Sequence, residues 1–65
     1  MPVENSVKKY RDEKGFTQAG LGEAVSVSRQ TINAIETGRY EPSLELGLKL
    51  AKQFGVSVEQ LFVLT

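Results

Sequence analysis

The 65-residue chain has no cysteine, no histidine and no tryptophan. Without cysteine there is no disulfide framework, and without cysteine or histidine the usual ligands of a structural zinc are missing. The same absences remove the common general bases and nucleophile pairs, so catalysis is not expected. Asp12 and Glu13 are neighbours in sequence and do not share a helical face. Scattered glutamates make no metal site, and neither a metal nor a cofactor is expected. Gly20-x-Gly22 is not a dinucleotide fingerprint, because Val25 stands in place of the third glycine and no strand precedes it. No apolar run approaches the ~18 residues of a membrane span, and the N-terminus lacks a charged-then-apolar leader. The simplest expectation is a cytoplasmic protein with no membrane partner.

Nor is there a charge excess: eight Lys and Arg balance eight Asp and Glu, with a pI near 6.2. Nucleic-acid binders usually carry a basic surplus, since neutralising phosphates supplies much of their affinity. A balanced chain that binds DNA must draw on a local basic surface, on helix N-termini and on pairing of two copies. The length suits one domain, 1–65, which buries only about 60% of its unfolded surface. Tight helix packing or a partner subunit has to supply the remaining stability.

Turn residues recur at short intervals, at Gly15, Ser26, Gly38, Pro42 and Gly55, with segments of helical length between them. A first helix is expected from Glu4 or Asn5 to Lys14, with Val3, Val7 and Tyr10 as its apolar stripe and Gly15 at its end. A second runs from Gln18 to Val25 behind Thr17 as N-cap, turning Leu21, Ala24 and Val25 inward. Ser28 caps a third that reaches Glu36 or Thr37, with Ile32 and Ile35 inside and Gly38 closing it. From Leu44 to Leu50 apolar and polar residues alternate, as in a strand. Pro42-Ser43 before the run, its length up to Gly55, and the clustering of Glu45, Lys49, Lys52 and Gln53 on one arc decide for a helix buried on two sides. Ser57 and Gln60 have capping-box spacing and open a fifth helix carrying Leu61 and Phe62. The core so predicted comprises Val7, Tyr10, Phe16, Leu21, Ala24, Val27, Ile32, Ile35, Leu44, Leu48, Leu50, Ala51, Phe54, Val56, Leu61 and Phe62.

The second and third helices, joined through Ser26-Val27, form a helix pair with a short turn. Such a turn makes the helices cross steeply, so the later one stands out from the body. Opposite Ile32 and Ile35 that helix carries Arg29, Gln30, Asn33 and Thr37. Arginine grips guanine O6 and N7, and glutamine or asparagine grips adenine N6 and N7. A solvated polar face has the same composition, so the residue types alone leave both readings open.

Thr17-Gln18, Val27-Ser28-Arg29-Gln30-Thr31-Ile32 and Ile35-Glu36-Thr37-Gly38-Arg39-Tyr40-Glu41-Pro42-Ser43-Leu44 resemble the Cro/repressor-like (XRE) helix-turn-helix family. The likeness continues through Phe54 to Phe62 and is nearest to minimal stand-alone repressors. It implies an all-α, five-helix, lambda-repressor-like fold and sequence-specific binding to double-stranded DNA. By this resemblance Arg29, Gln30 and Asn33 face base edges. Gln18, Thr31, Thr37, Gly38, Arg39 and Tyr40 meet the DNA backbone, Arg39 supplying charge without base specificity. Glu36 would repel phosphate unless occupied, and the family pattern pairs it with Arg11. Ser26 departs from the usual turn glycine, at a cost if φ is positive there. Gly22 falls where the family wants a very small residue, whereas Gly20 lacks an explanation.

One recognition helix spans few base pairs, so a homodimer on a palindromic operator is expected, with Leu61, Val63 and Leu64 at the dimer surface. The resemblance also suggests that the two terminal segments pair as short strands. The expected role is a transcriptional regulator, a repressor above all, with no small-molecule effector evident. The rival class is a protein-binding module such as an antitoxin, which the neutral charge and apolar tail keep open.

Overall fold

The computed structural model describes residues 3–65 and orders them as β1 (Val3–Asn5), α1 (Val7–Lys14), α2 (Gln18–Ala24), α3 (Arg29–Glu36), α4 (Leu44–Phe54), α5 (Val58–Leu61) and β2 (Phe62–Leu64). The helices begin where short polar side chains compete for backbone N–H groups. The hydroxyls of Thr17, Ser28, Ser43 and Ser57 each accept a hydrogen bond from the backbone three residues on. Gln60 completes the box by accepting from Ser57 N. The first helix is capped differently. Ser6 at its N-cap makes no side-chain bond, and the neighbouring Asn5 Oδ1 accepts from Val7 N at 3.1 Å.

The helix ends share one device. Phe16 N donates to Arg11 O and Gly15 N to Asp12 O; Val27 N to Gly22 O and Ser26 N to Glu23 O; Arg39 N to Ala34 O and Gly38 N to Ile35 O; Val56 N to Ala51 O and Gly55 N to Lys52 O. These paired bonds satisfy orphaned carbonyls and require a left-handed residue between helix and loop. Glycine fills that position three times, at φ values of 78°, 79° and 73°, while Ser26 adopts 67°.

The first helix starts later than the sequence suggests, because residues 3–5 are taken up by an antiparallel pairing with β2, Val3 opposite Leu64 and Asn5 opposite Phe62. The two terminal segments thus form a small sheet beside the helices. Inside, Val7, Leu21, Val25, Ile32, Ile35, Leu46, Leu50, Ala51, Phe54 and Leu61 are buried, with Tyr10, Phe16, Val27, Val56, Val58 and Phe62 packed around them. Phe54 is the aromatic hub, its centroid 5.9 Å from Tyr10 and 6.4 Å from Phe16.

Three expected core residues lie elsewhere. Ala24 is exposed on α2, where Val25 takes the inward place. On α4, Leu46 and Gly47 face inward and leave Leu44 76% and Leu48 51% exposed. The apolar arc of α4 is wider than the one surface it packs on, so this helix is buried on one side, not two.

Candidate nucleic-acid interface

Everything that presents α3 is fixed at its two ends. At the start, Gly22 of α2 lies directly beneath the turn, and a Cβ there would sit 2.6 Å from the Val27 carbonyl oxygen. The absence of that Cβ lets α2 and α3 approach closely. Gly20, unexplained by sequence, faces its own N-cap: an added Cβ would lie 3.1 Å from Thr17 Oγ1. At the far end of α3, Asn5 Nδ2 donates to the Ile35 carbonyl at 2.9 Å, tying β1 to the last turn. Nothing in the local sequence signals this contact, which spans thirty residues of chain.

Arg11 and Glu36 join α1 to α3. Arg11 Nε lies 2.6 Å from Glu36 Oε2 and Nη2 3.2 Å from Oε1, while Nη1 donates to the Phe16 carbonyl at 3.0 Å. Their side chains are only 11% and 4% exposed. The hydrogen bond to Glu36 holds the Arg11 guanidinium above its ordinary pKa, against the opposing effect of burial. Gln18 Nε2 adds a third contact to Glu36, at 3.0 Å. The Glu36 carboxylate is thereby paired with a cation and held by three hydrogen bonds.

On the polar face, Gln18, Arg29, Gln30, Asn33 and Arg39 line one shallow concavity of about 320 Å³. Arg29 and Gln30 are exposed, and their side chains make no hydrogen bond among the described residues. Asn33 is half-buried, its Oδ1 accepting from Arg39 Nη2 at 3.1 Å. Two guanidinium groups and three amides converge there, and no carboxylate is among the lining residues. The balanced total charge therefore coexists with a locally basic surface, the kind that attracts phosphate.

The other residues named from the sequence are placed less uniformly. Thr31 Oγ1 shares a hydrogen bond with Ser28 Oγ at 3.0 Å, at the N-cap of α3. The Thr37 hydroxyl donates to the Asn33 carbonyl at 3.0 Å. Tyr40, 47% exposed, lines a different hollow with Thr37, Gly38 and three glutamates, Glu4, Glu36 and Glu41. Glu36 is paired with Arg11, and the carboxylates of Glu4 and Glu41 are unfavourable to phosphate. Of the expected dimer residues, Val63 and Leu64 are exposed. Leu61 is fully enclosed in the chain's own core and offers a partner no surface.

The helix-turn-helix family profile matches residues 7–61. The chain belongs to that family. An HTH-type transcriptional regulator of Methanocaldococcus jannaschii is 49% identical over 61 residues, covering 94% of this chain and 92% of its own. Among solved structures, a putative DNA-binding protein from Bacteroides fragilis superposes with a TM-score of 0.83 at 30% identity, covering 92% of this chain and 97% of that one. The P22 c2 repressor in complex with a synthetic operator gives 0.79 at 32% identity, over 82% and 80% of the two chains. This helix-turn-helix protein is a DNA-binding transcriptional regulator of the XRE type, not an enzyme. Among the described residues, no helix is long and apolar enough to cross a membrane.

Proposed function

We propose that this regulator binds double-stranded DNA sequence-specifically as a homodimer, in the cytoplasm, and represses transcription by occupying a palindromic site. The observation that carries the reading is the convergence of Arg29, Gln30, Asn33, Arg39 and Gln18 on one carboxylate-free concavity along α3. In this reading Arg29, Gln30 and Asn33 meet base edges. The Gln18 amide already gives one N–H to Glu36 and keeps its second for a phosphate. Thr31, Thr37, Gly38 and Arg39 follow the backbone, and Tyr40 does so only at the margin.

The dimer reading rests on a band of apolar side chains turned to solvent: Leu44, Leu48, Val63 and Leu64. Leu44 lines both a groove with Leu48 and a hollow with Val3 and Phe62, so the band is continuous across α4 and the small sheet. Its rim is self-complementary. Glu45, paired within the chain to Lys49 at 3.3 Å, lies towards one end of the α4 groove and Lys52 at the other. A two-fold axis near Leu48 brings Lys52 of one copy towards Glu45 of the other. The molecule measures 28 × 22 × 20 Å, so two copies side by side suit recognition helices about 34 Å apart, in successive major grooves.

Selection from a pool of random-sequence duplexes tests the function. A two-fold symmetric motif whose binding weakens steeply with salt supports it; no enrichment even at ~50 mM salt overturns it. Sedimentation tests the dimer. Leu48→Glu is expected to convert a species of twice 7.2 kDa into a folded monomer. A wild type that sediments as a monomer without DNA and binds a single half-site leaves the apolar band to another protein.

A further inference from the structure

Arg39 lies beyond the end of α3, yet its side chain runs back along the helix. Nη2 donates to Asn33 Oδ1 at 3.1 Å and Nε to Thr37 Oγ1 at 3.2 Å. The backbone builds this return. Gly38 turns the chain at φ 79°, and Arg39 N then donates to the Ala34 carbonyl at 2.9 Å. Thr37 is fixed in turn, because its hydroxyl hydrogen is spent on the Asn33 carbonyl, leaving the oxygen to accept from Arg39.

A guanidinium carries donors only. Of the two ends of the Asn33 amide, the oxygen must therefore face Arg39 and the NH2 must face away. We propose that Arg39 is a specificity-determining positioning residue, which sets the orientation of the Asn33 amide before DNA arrives. The proposal rests on the DNA-reading function above. Reading adenine requires a donor for N7 and an acceptor for the N6 amino group in a fixed order. The oriented NH2 supplies the donor, and the second lone pair of Oδ1 supplies the acceptor. An untethered amide flips freely and offers either order, so discrimination at that base pair falls. A residue that only neutralises phosphate behaves otherwise, since its loss weakens binding to all sequences alike.

Arg39→Lys keeps the charge but removes the planar two-point reach. Wild-type, Arg39→Lys, Asn33→Ala and doubly substituted chains are compared on the duplex that wild type enriches from a random pool, with each base pair then varied singly. Arg39→Lys is expected to lower discrimination about tenfold at the base pair where Asn33→Ala lowers it, with other positions unchanged and no further loss in the double variant. In the free protein, the Asn33 side-chain amide resonances are expected to shift in Arg39→Lys. Unchanged base preference in Arg39→Lys, whatever its affinity, overturns the proposal, as do unmoved Asn33 resonances. A wild type that enriches no duplex overturns the DNA-reading function and this role with it. That failure is told apart because the resonances still report the Arg39–Asn33 contact.

Discussion

Arg11 holds Glu36 at two points, Nε to Oε2 at 2.6 Å and Nη2 to Oε1 at 3.2 Å, across a contact almost closed to water. Parallel guanidinium–carboxylate bonds fix direction as well as distance, so α1 sets the angle at which the last turn of α3 is carried. Arg11→Ala leaves the Glu36 carboxylate buried with only Gln18 as partner. Breaking a buried pair from one side costs about 3 kcal/mol, a fall in melting temperature on the order of 15 °C for a chain this small. Replacing both partners by methionine is expected to recover most of that loss, because no unpaired charge remains. DNA affinity is expected to stay low in the double variant, since the directional tie is still missing. Thermal melts and duplex titrations of the three variants check both expectations, and full recovery of affinity would refute the presenting role.

The acid limb of stability has a nameable contributor. The hydrogen bond from Lys8 at 3.0 Å, with Arg11 beside it, holds the Asp12 carboxyl below its ordinary pKa. A carboxylate with a lowered folded value stabilises fully above its unfolded pKa near 3.9, and loses that contribution as pH falls through the folded value. The affected window therefore lies below about pH 4. Asp12→Asn is expected to lower stability slightly at neutral pH and to flatten its fall below about pH 4 by the same small amount, because the pair is exposed and screened. Urea titrations from about pH 2.5 to 7 report it; parallel profiles for the two proteins would show that the pair contributes nothing.

The starts of α2 to α5 and the ends of α1 to α4 are legible because they are written in local chemistry, a hydroxyl at the N-cap and a left-handed residue after the last turn. The start of α1 is not, because residues 3–5 are held in the sheet. Thr17, Ser28, Ser43 and Ser57 act on backbone three residues away, within reach of any sequence reading. What escaped depends on distant chain. β1 carries no periodicity of its own; only the family resemblance points to a pairing of the two termini, which the structure has as Val3–Asn5 against Phe62–Leu64. Asn5 reaches Ile35, and Arg39 turns back to Asn33 only because Gly38 reverses the chain. On α4 the apolar arc identifies a helix but not its inward direction: the pattern puts Leu44 and Leu48 inside, whereas Leu46 is the buried residue. The surplus became the exposed band.

The two glycines of α2 look alike in sequence and differ in space. At Gly22 an added methyl meets backbone, the Val27 carbonyl at 2.6 Å and Ser28 carbonyl atoms at 3.2 Å. Backbone cannot swing aside, so α2 and α3 must separate. Gly22→Ala is expected to destabilise by about 2–3 kcal/mol and to cut DNA affinity more than the fraction unfolded explains. At Gly20 the methyl meets the Thr17 hydroxyl at 3.1 Å, and crowding of the N-cap opposes the gain in helix propensity. Gly20→Ala is expected within about 0.5 kcal/mol of wild type. Equal effects at both sites in urea unfolding would contradict the close-approach account.

Ser26 is the only described non-glycine residue at positive φ. It performs the task that Gly15, Gly38 and Gly55 perform at the other helix ends. A side chain in that conformation costs about 1–2 kcal/mol, and glycine returns part of the gain through its freer unfolded chain. Ser26→Gly is thus expected to stabilise by about 0.5–1 kcal/mol, or roughly 2–8 °C in melting temperature. Ser26 is exposed and lines a groove with Ala24, Lys49 and Gln53, away from Arg29 and Asn33, so affinity per folded molecule is expected to stay unchanged. Ser26→Val sharpens the comparison, because a β-branched side chain is least tolerated at positive φ. It is expected to destabilise, with the turn between α2 and α3 giving way first. Equal melting temperatures for the glycine and valine variants would show that the turn relaxes to negative φ and that the left-handed residue is not required.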